Sequence, residues 1–194
     1  MTDNRKFALA IIDMQNDFVL PDSKCCIPRA FESISNIKKV LDDFRDKKLP
    51  IFYIVREYRA DGSDIESFRL KDFVDGNKCA VPNTFGCEVV DELKPIEGEY
   101  RIVKNRFSGF MNTELDLILR RLGITNIVVT GTQYPNCVRA TIYDAIALGY
   151  GVTVVTDATS AATKEIEDAN ITDLKNVGVR CISSDEAASG AFND

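Results

Sequence analysis

The feature that most restricts the fold is a repeated order of short apolar runs and amphipathic helical patterns. The unbroken apolar run Phe7–Ile12 is typical of a strand covered on both faces, and Ala30–Asp46 carries apolar residues at helical spacing. The pair Thr113 and Asp116 predicts a capping box at the start of another helix. Further strands are predicted at 51–55, 100–104, 126–131, 152–156 and 179–182, and further helices at 113–122, 137–148 and 164–176. This alternation predicts a parallel sheet with helices on both faces.

The length of the chain, 194 residues, suits one domain, and we expect residues 1–194 to form it. The stretch at about 56–99 interrupts the alternation, since it is polar and contains several glycines and prolines. A connection of that length often serves as a lid, although a plain surface insertion fits equally well. Short helices are expected within it near 65–70 and 88–93.

Composition limits the partners and the location of the protein. A net charge of −6 and a pI near 4.9 argue against binding to nucleic acid or to anionic membranes. The apolar run at 7–12 is too short for a signal-peptide core or a transmembrane helix. We therefore expect a cytoplasmic protein that acts on a small molecule.

The chain contains no histidine. This excludes catalysis by Ser-His-Asp or Cys-His groups and the common zinc ligand sets. Acid–base chemistry must therefore use Asp, Glu, Lys, Tyr or Cys. The six cysteines show no C-x-x-C spacing, and we interpret them as free thiols.

Three reactive side chains follow predicted strands. Asp13 follows the first strand, Lys104 ends the third, and Cys137 comes shortly after the fourth, at the start of a helix. In an open parallel sheet, ligands bind at the carboxyl ends of the strands. The order of elements therefore makes these three residues candidates for one site.

Their chemistry is complementary. A helix N-terminus lowers the pKa of a thiol, which favours Cys137 as a nucleophile. Asp13 is then the natural base for the thiol proton, and Lys104 is a cation that would stabilise both negative charges. Each residue also has an ordinary structural interpretation: a buried small side chain, a helix-capping carboxylate and an exposed lysine.

The sequence resembles the isochorismatase-like cysteine hydrolases, and within them the nicotinamidase-type branch. The resemblance rests on three motifs in the same order along the chain. They are DMQNDF at 13–18, K-x-R-F-S-x-F at 104–110 and G-T-x-x-x-N-C-V-R-A-T-x-x-D-A at 131–145. It extends over about 7–182, nearly the whole chain.

The resemblance implies a Rossmann-like three-layer α/β/α fold with a six-stranded parallel sheet of order 3-2-1-4-5-6. It also implies a homodimer or homotetramer and a catalytic triad of Asp13, Lys104 and Cys137. A cis peptide bond between Thr132 and Gln133 is expected, together with an oxyanion hole formed by the N–H groups of Gln133 and Cys137.

The resemblance also bears on metal ions. Metal-dependent nicotinamidases use an aspartate and two histidines after the second strand, and this chain has no histidine. Glu57, Asp61 and Asp64 have oxygen ligands suited to a hard cation. We expect them to be solvated instead, so the predicted chemistry uses neither a metal nor another cofactor.

The activity implied by the resemblance is hydrolysis of a small carboxamide or ureido C–N bond through a thioester, with release of ammonia. One alternative is vinyl ether hydrolysis of the isochorismatase type, and another is a non-catalytic member that only binds a small molecule. A nucleotide-binding domain is disfavoured because no glycine-rich phosphate loop follows a predicted strand.

Five residues are candidates for substrate binding. Arg56 and Arg106 are placed to capture a substrate carboxylate, although salt bridges with the acidic loop explain them equally well. Phe18, Phe107 and Tyr134 are candidates to flank a flat ring, and each also suits an ordinary core position.

Overall fold

A six-stranded, all-parallel sheet forms the centre of the protein in the computed structural model, which describes residues 5–193. The strands are β1 (Phe7–Ile12), β2 (Ile51–Arg56), β3 (Tyr100–Lys104), β4 (Asn126–Thr132), β5 (Gly151–Ser160) and β6 (Arg180–Ile182). Their order is β3-β2-β1-β4-β5-β6, so the predicted fold class is confirmed. Residues 1–4 and 194 of the predicted domain lie outside the described residues.

Helices cover both faces of the sheet. They are α1 (Asn16–Val19), α2 (Ile34–Asp46), α3 (Ser67–Val74), α4 (Leu115–Leu122), α5 (Arg139–Ala147), α6 (Lys164–Asn176) and α7 (Ser184–Ala188). Alternate side chains of β1 enter two separate apolar cores: Leu9 packs with α2, while Ala10 packs with α4, α5 and α6. Within residues 5–193, every helix is too short or too polar to span a lipid bilayer.

Several predicted element boundaries are wrong. The predicted capping box does not form, because the Thr113 hydroxyl donates to the Gly109 carbonyl and the Asp116 carboxylate is held by Arg120 and Tyr150. One π-helical turn at 134–138 precedes α5, which begins two residues after Cys137. Strand β5 extends beyond the predicted residue 156 to residue 160, because a shift in register near Gly131 lets it continue beside β4.

The segment at 56–99 contains little regular structure. Helix α3 lies close to the predicted position, but the second predicted helix is reduced to single 3₁₀ turns at 85–87 and 91–93. The side-chain amides of Gln15 and Asn16 donate to the carbonyls of Cys87 (2.9 Å) and Phe85 (2.7 Å). The first part of the DMQNDF motif therefore fixes this segment against the end of β1.

Gly131 allows the two central strands to approach closely where the candidate residues follow them. It pairs with Ile12, the last residue of β1, and has a φ of +109°. A Cβ at this position would lie 2.2 Å from the carbonyl oxygen of Ile12. Only glycine fits here, and Asp13 consequently lies beside the chain that leads to Cys137.

We expect Gly131→Ala to destabilise the protein more than Gly149→Ala. Gly149 also has a positive φ, +89°, but a Cβ there would meet no atom within 4 Å. The control variant should lose only the conformational cost, about 1–2 kcal/mol, whereas Gly131→Ala adds a backbone clash. Urea unfolding measures both, and equal losses would contradict this role for Gly131.

Candidate active site

The structure brings together the three side chains that follow separate strands. The ammonium group of Lys104 donates to Asp13 Oδ2 over 2.8 Å, and Asp13, Lys104 and Cys137 are all buried. Asp13 and Cys137 line a cavity of about 200 Å³ at the carboxyl edge of the sheet. The other lining residues are Phe18, Lys24, Cys25, Ile27, Arg56, Arg69, Asp72, Cys79, Thr132, Gln133 and Asn136.

The backbone at the end of β1 turns sharply to present Asp13. The residue has a φ of +50°, a left-handed conformation that aspartate tolerates better than most side chains. Its N–H donates to the Ile54 carbonyl at 2.8 Å, which keeps the turn against β2. Within residues 5–193, Asp13 Oδ1 is buried and accepts no hydrogen bond. One carboxylate oxygen is therefore held by Lys104, and the other remains able to accept a proton.

Cys137 lies in the π-helical turn that leads into α5. The hydroxyl of Thr141 donates to the Cys137 carbonyl at 2.7 Å and accepts from the N–H of Gly109 at 2.9 Å. This bond pair joins the turn to the loop that follows Lys104. The peptide bond between Thr132 and Gln133 is cis, and both residues line the cavity.

Arg56 lies directly against the cysteine. One of its terminal nitrogens is 3.1 Å from Cys137 Sγ and also donates to the Arg106 carbonyl at 3.2 Å. Its other terminal nitrogen contacts the Tyr58 hydroxyl and donates to Glu66 Oε1 at 2.9 Å. Because protein groups engage both terminal nitrogens, the guanidinium is fixed beside the sulfur.

Burial is the largest influence on the pKa of the Cys137 thiol. It raises the pKa of Cys137, and the negative charge of Asp13 raises it further, while Lys104 and Arg56 act in the opposite direction. The pKa is therefore raised overall, and not lowered as the position of Cys137 near a helix start predicts. The sulfur therefore keeps its proton at neutral pH and needs a base before it can attack a carbonyl.

The other predicted substrate-binding residues divide into two groups. Phe18 lines the cavity, as Arg56 does. Arg106, Phe107 and Tyr134 do not line it. The Arg106 guanidinium donates to the Asp64 carbonyl at 2.6 Å, the Phe107 ring lies 5.5 Å from the Arg56 guanidinium, and Tyr134 is buried in the core.

Several cavity residues were not anticipated. Lys24 and Cys25 come from the loop after α1, and Arg69 and Asp72 come from α3. None of these residues belongs to one of the three motifs. The only sequence signal for Arg69 and Asp72 is the unusual length of the connection in which they lie.

The three carboxylates considered as cation ligands have protein partners. Glu57 pairs with Arg101, Asp61 accepts from the Ser63 N–H, and Asp64 accepts from the Arg59 N–H. Within the part of the chain that the structure describes, no three His, Cys, Asp or Glu side chains are grouped to hold a metal ion.

We expect Asp13→Asn and Arg56→Gln to move the pKa of Cys137 in opposite directions. Asp13 raises this pKa and Arg56 lowers it, so Asp13→Asn should reduce the pKa and Arg56→Gln should increase it. The rate of iodoacetamide alkylation at Cys137 is measured against pH by mass spectrometry, and the midpoint of its rise with pH gives the pKa of the thiol. Movement of both midpoints in the same direction would contradict this electrostatic balance.

Comparisons with known proteins identify the family to which the chain belongs. The isochorismatase domain family matches residues 7–186. The chain is 42% identical over 179 residues to a protein of Arabidopsis thaliana named "probable inactive nicotinamidase", with 91% of each chain covered. It is 32% identical over 182 residues to the ureidoacrylate amidohydrolase RutB of Caulobacter segnis, covering 84% of this chain and 76% of that one.

A crystal structure gives the same result for the fold. An isochorismatase family protein from Desulfovibrio vulgaris superposes with a TM-score of 0.93 and 45% identity, covering 97% of this chain and 100% of that one. The family match covers most of the chain, and the sheet order is the one expected from the sequence motifs. The protein therefore belongs to the isochorismatase family of hydrolases.

Proposed function

We propose that this protein hydrolyses the C–N bond of a small carboxamide or ureido compound and releases ammonia. The observation that carries the proposal is a buried thiol at the same cavity as a carboxylate that is paired with Lys104, with Arg56 3.1 Å from the sulfur. The four side chains of this group are each 6% exposed or less: Asp13, Lys104, Arg56 and Cys137. Asp13 and Cys137 line the cavity, where the carboxylate can act as a base and the thiol as a nucleophile.

The first half of the reaction forms a thioester. Asp13 accepts the thiol proton, and Cys137 Sγ forms a bond to the substrate carbonyl carbon. Electrons move onto the carbonyl oxygen. When the tetrahedral intermediate collapses, the C–N bond breaks, and Asp13 returns the proton to the departing nitrogen as ammonia leaves.

The second half releases the product. A water molecule gives a proton to Asp13 and adds to the thioester carbonyl, and the C–S bond then breaks. The sulfur recovers the proton from Asp13, so the enzyme returns to its initial state. Throughout the reaction, Lys104 holds the carboxylate by one oxygen of Asp13. The other oxygen therefore remains available to carry the proton.

The intermediate oxyanion needs donors that do not have to reorganise. The N–H groups of Gln133 and Cys137 lie at the start of a helical turn, where backbone donors point out of the helix. Both residues line the cavity. Donors fixed in this way support the proposed oxyanion hole, because they stabilise charge where it develops.

The names of relatives favour a substrate other than nicotinamide. A 42% identical relative is called a probable inactive nicotinamidase, and a 32% identical relative is called a ureidoacrylate amidohydrolase. A linear amide or ureido compound therefore agrees with them better than the aromatic amide does. A member that binds without turnover is the alternative that the first of these names favours.

We expect Cys137→Ala to reduce ammonia release by more than about 10³-fold, because the covalent intermediate cannot form. A panel of small amides and ureido compounds, assayed for ammonia, measures the activity. Cys181→Ala is the matched control, since Cys181 is a half-buried cysteine of β6 that does not line the cavity.

Two outcomes would contradict the proposal. Turnover retained by Cys137→Ala on a good substrate would exclude the thioester route. Absence of turnover across the panel, together with tight binding of one of the compounds, would indicate the non-catalytic alternative. Trapping of a covalent adduct on Cys137 during turnover, detected by intact-mass spectrometry, is the expected positive result.

A further inference from the structure

We infer that Arg69 binds a carboxylate group of the substrate, so that the enzyme selects small amides or ureido compounds that carry an acid. The reaction part of this inference rests on the proposed function. The carboxylate site itself does not, and it can be tested separately.

Arg69 reaches the same cavity as the reacting groups from a different part of the molecule. It lies in α3, within the long connection after β2, and lines the cavity together with Asp13 and Cys137. Its side chain is 33% exposed, so it is accessible to a ligand that enters from solvent. The sheet therefore supplies the catalytic groups, and α3 supplies a cation to the same space.

The described residues do not satisfy every hydrogen-bond donor of Arg69. Its Nε is buried and has no hydrogen-bond partner among residues 5–193. The nearest carboxylate oxygen, Glu66 Oε2, lies 3.7 Å from Nε, beyond hydrogen-bond distance. That oxygen already accepts from the Tyr58 hydroxyl at 2.6 Å, and Glu66 Oε1 accepts from Arg56. Because Nε is closed off from solvent, a carboxylate in the cavity would bind the terminal nitrogens of this side chain, which is 33% exposed.

Aromatic rings hold the guanidinium in place. The Arg69 guanidinium carbon lies 4.9 Å from the centre of the Phe68 ring and 5.8 Å from that of Phe107. Contacts with ring faces restrict the guanidinium but leave the N–H groups at its edge available. Such restriction reduces the entropy lost when a planar carboxylate binds.

The other basic residues are less suited to this role. The terminal nitrogens of Arg56 contact protein groups, and Arg106 donates to backbone carbonyls outside the cavity lining. Lys24 lines the cavity but is exposed to solvent. Of the two acidic lining residues, Asp13 is paired with Lys104 and Asp72 accepts from Asn77. Asp72 keeps its negative charge, because its partner Asn77 is neutral. Among the described residues, three basic and two acidic side chains line the cavity, so the lining has a positive excess that favours an anionic ligand, and Arg69 is its best-placed donor.

The size of the cavity limits the substrate. Its volume of about 200 Å³ is below the range of roughly 300–1,000 Å³ for pockets that hold drug-sized ligands. A short acid with its amide or ureido group a few bonds away is of a size that suits this space, whose lining includes both Arg69 and Cys137. A neutral amide offers nothing for Arg69 to bind.

The carboxylate site can be tested without any substrate by two alkylating agents that differ in charge. Iodoacetate and iodoacetamide both form an S–CH₂ bond at Cys137 and release iodide, but only iodoacetate carries a carboxylate. We expect Arg69→Gln to slow iodoacetate labelling of Cys137 about tenfold and to change iodoacetamide labelling less than twofold. Initial rates are measured by mass spectrometry of the peptide that contains Cys137.

Lys71→Gln is the matched control, because Lys71 lies on the same helix with its side chain 91% exposed and does not line the cavity. It should leave both labelling rates unchanged. If Arg69→Gln slows both reagents equally, the residue acts on the thiol or on the fold, and the inference is overturned.

Turnover provides a second test. N-carbamoylglycine and ethylurea differ in having a carboxylate or a methyl group at the same position. We expect the wild-type kcat/KM to favour the acid at least tenfold, with the preference lost in Arg69→Gln and kept in Lys71→Gln. If each of the three proteins hydrolyses the acid and ethylurea with equal kcat/KM, the inference is overturned while the proposed hydrolysis stands.

The two proposals can therefore fail independently. If neither ureido compound is hydrolysed but iodoacetate labelling still depends on Arg69, the carboxylate site is supported and the proposed reaction is not. If ammonia is released but neither labelling nor kcat/KM depends on Arg69, the reaction is supported and the carboxylate site is excluded.

Discussion

The buried ion pair between Lys104 and Asp13 is the interaction on which the site depends. Two charges in an apolar interior are stable only when the pair is close and well bonded, and loss of one partner typically costs about 3–5 kcal/mol. Here the distance is 2.8 Å, and among residues 5–193 only one carboxylate oxygen has a hydrogen-bond partner. The pair therefore fixes the carboxylate and leaves its second oxygen available beside the thiol.

The sheet order explains why these groups meet. Strands β3, β2, β1 and β4 are neighbours, and at one edge they lead in that order to Lys104, Arg56, Asp13 and Cys137. Arg56 is directly paired with Lys104 in the β2–β3 register. Because the strands are parallel, residues far apart in sequence lie side by side at one edge. Two cations and a carboxylate are thus placed in a row by the ends of three strands, and the turn at 134–138 adds the thiol beside them.

This edge also explains which parts of the site could be predicted. The strand positions make Asp13, Lys104 and Cys137 candidates for one site, because buried strands are recognisable and their carboxyl ends meet. Their interpretation as a catalytic triad rests on the motifs that resemble the hydrolase family. The contact of Arg56 with sulfur could not be deduced, since it depends on how Tyr58 and Glu66 orient the side chain. The raised pKa of the thiol likewise depends on burial, which the sequence does not specify.

The connection after β2 is the least predictable part of the chain, and it supplies the side chain proposed to select the substrate. Hydrogen bonds from Gln15 and Asn16 hold this connection, and those residues lie two and three positions after Asp13. One short motif therefore presents the base and also anchors the segment that carries Arg69. The part of this connection that the motif anchors, at 85–87, is separate from α3, where Arg69 and Asp72 lie. Substitutions in α3 can therefore alter the cavity lining without touching the bonds that Gln15 and Asn16 make with the stretch at 85–87.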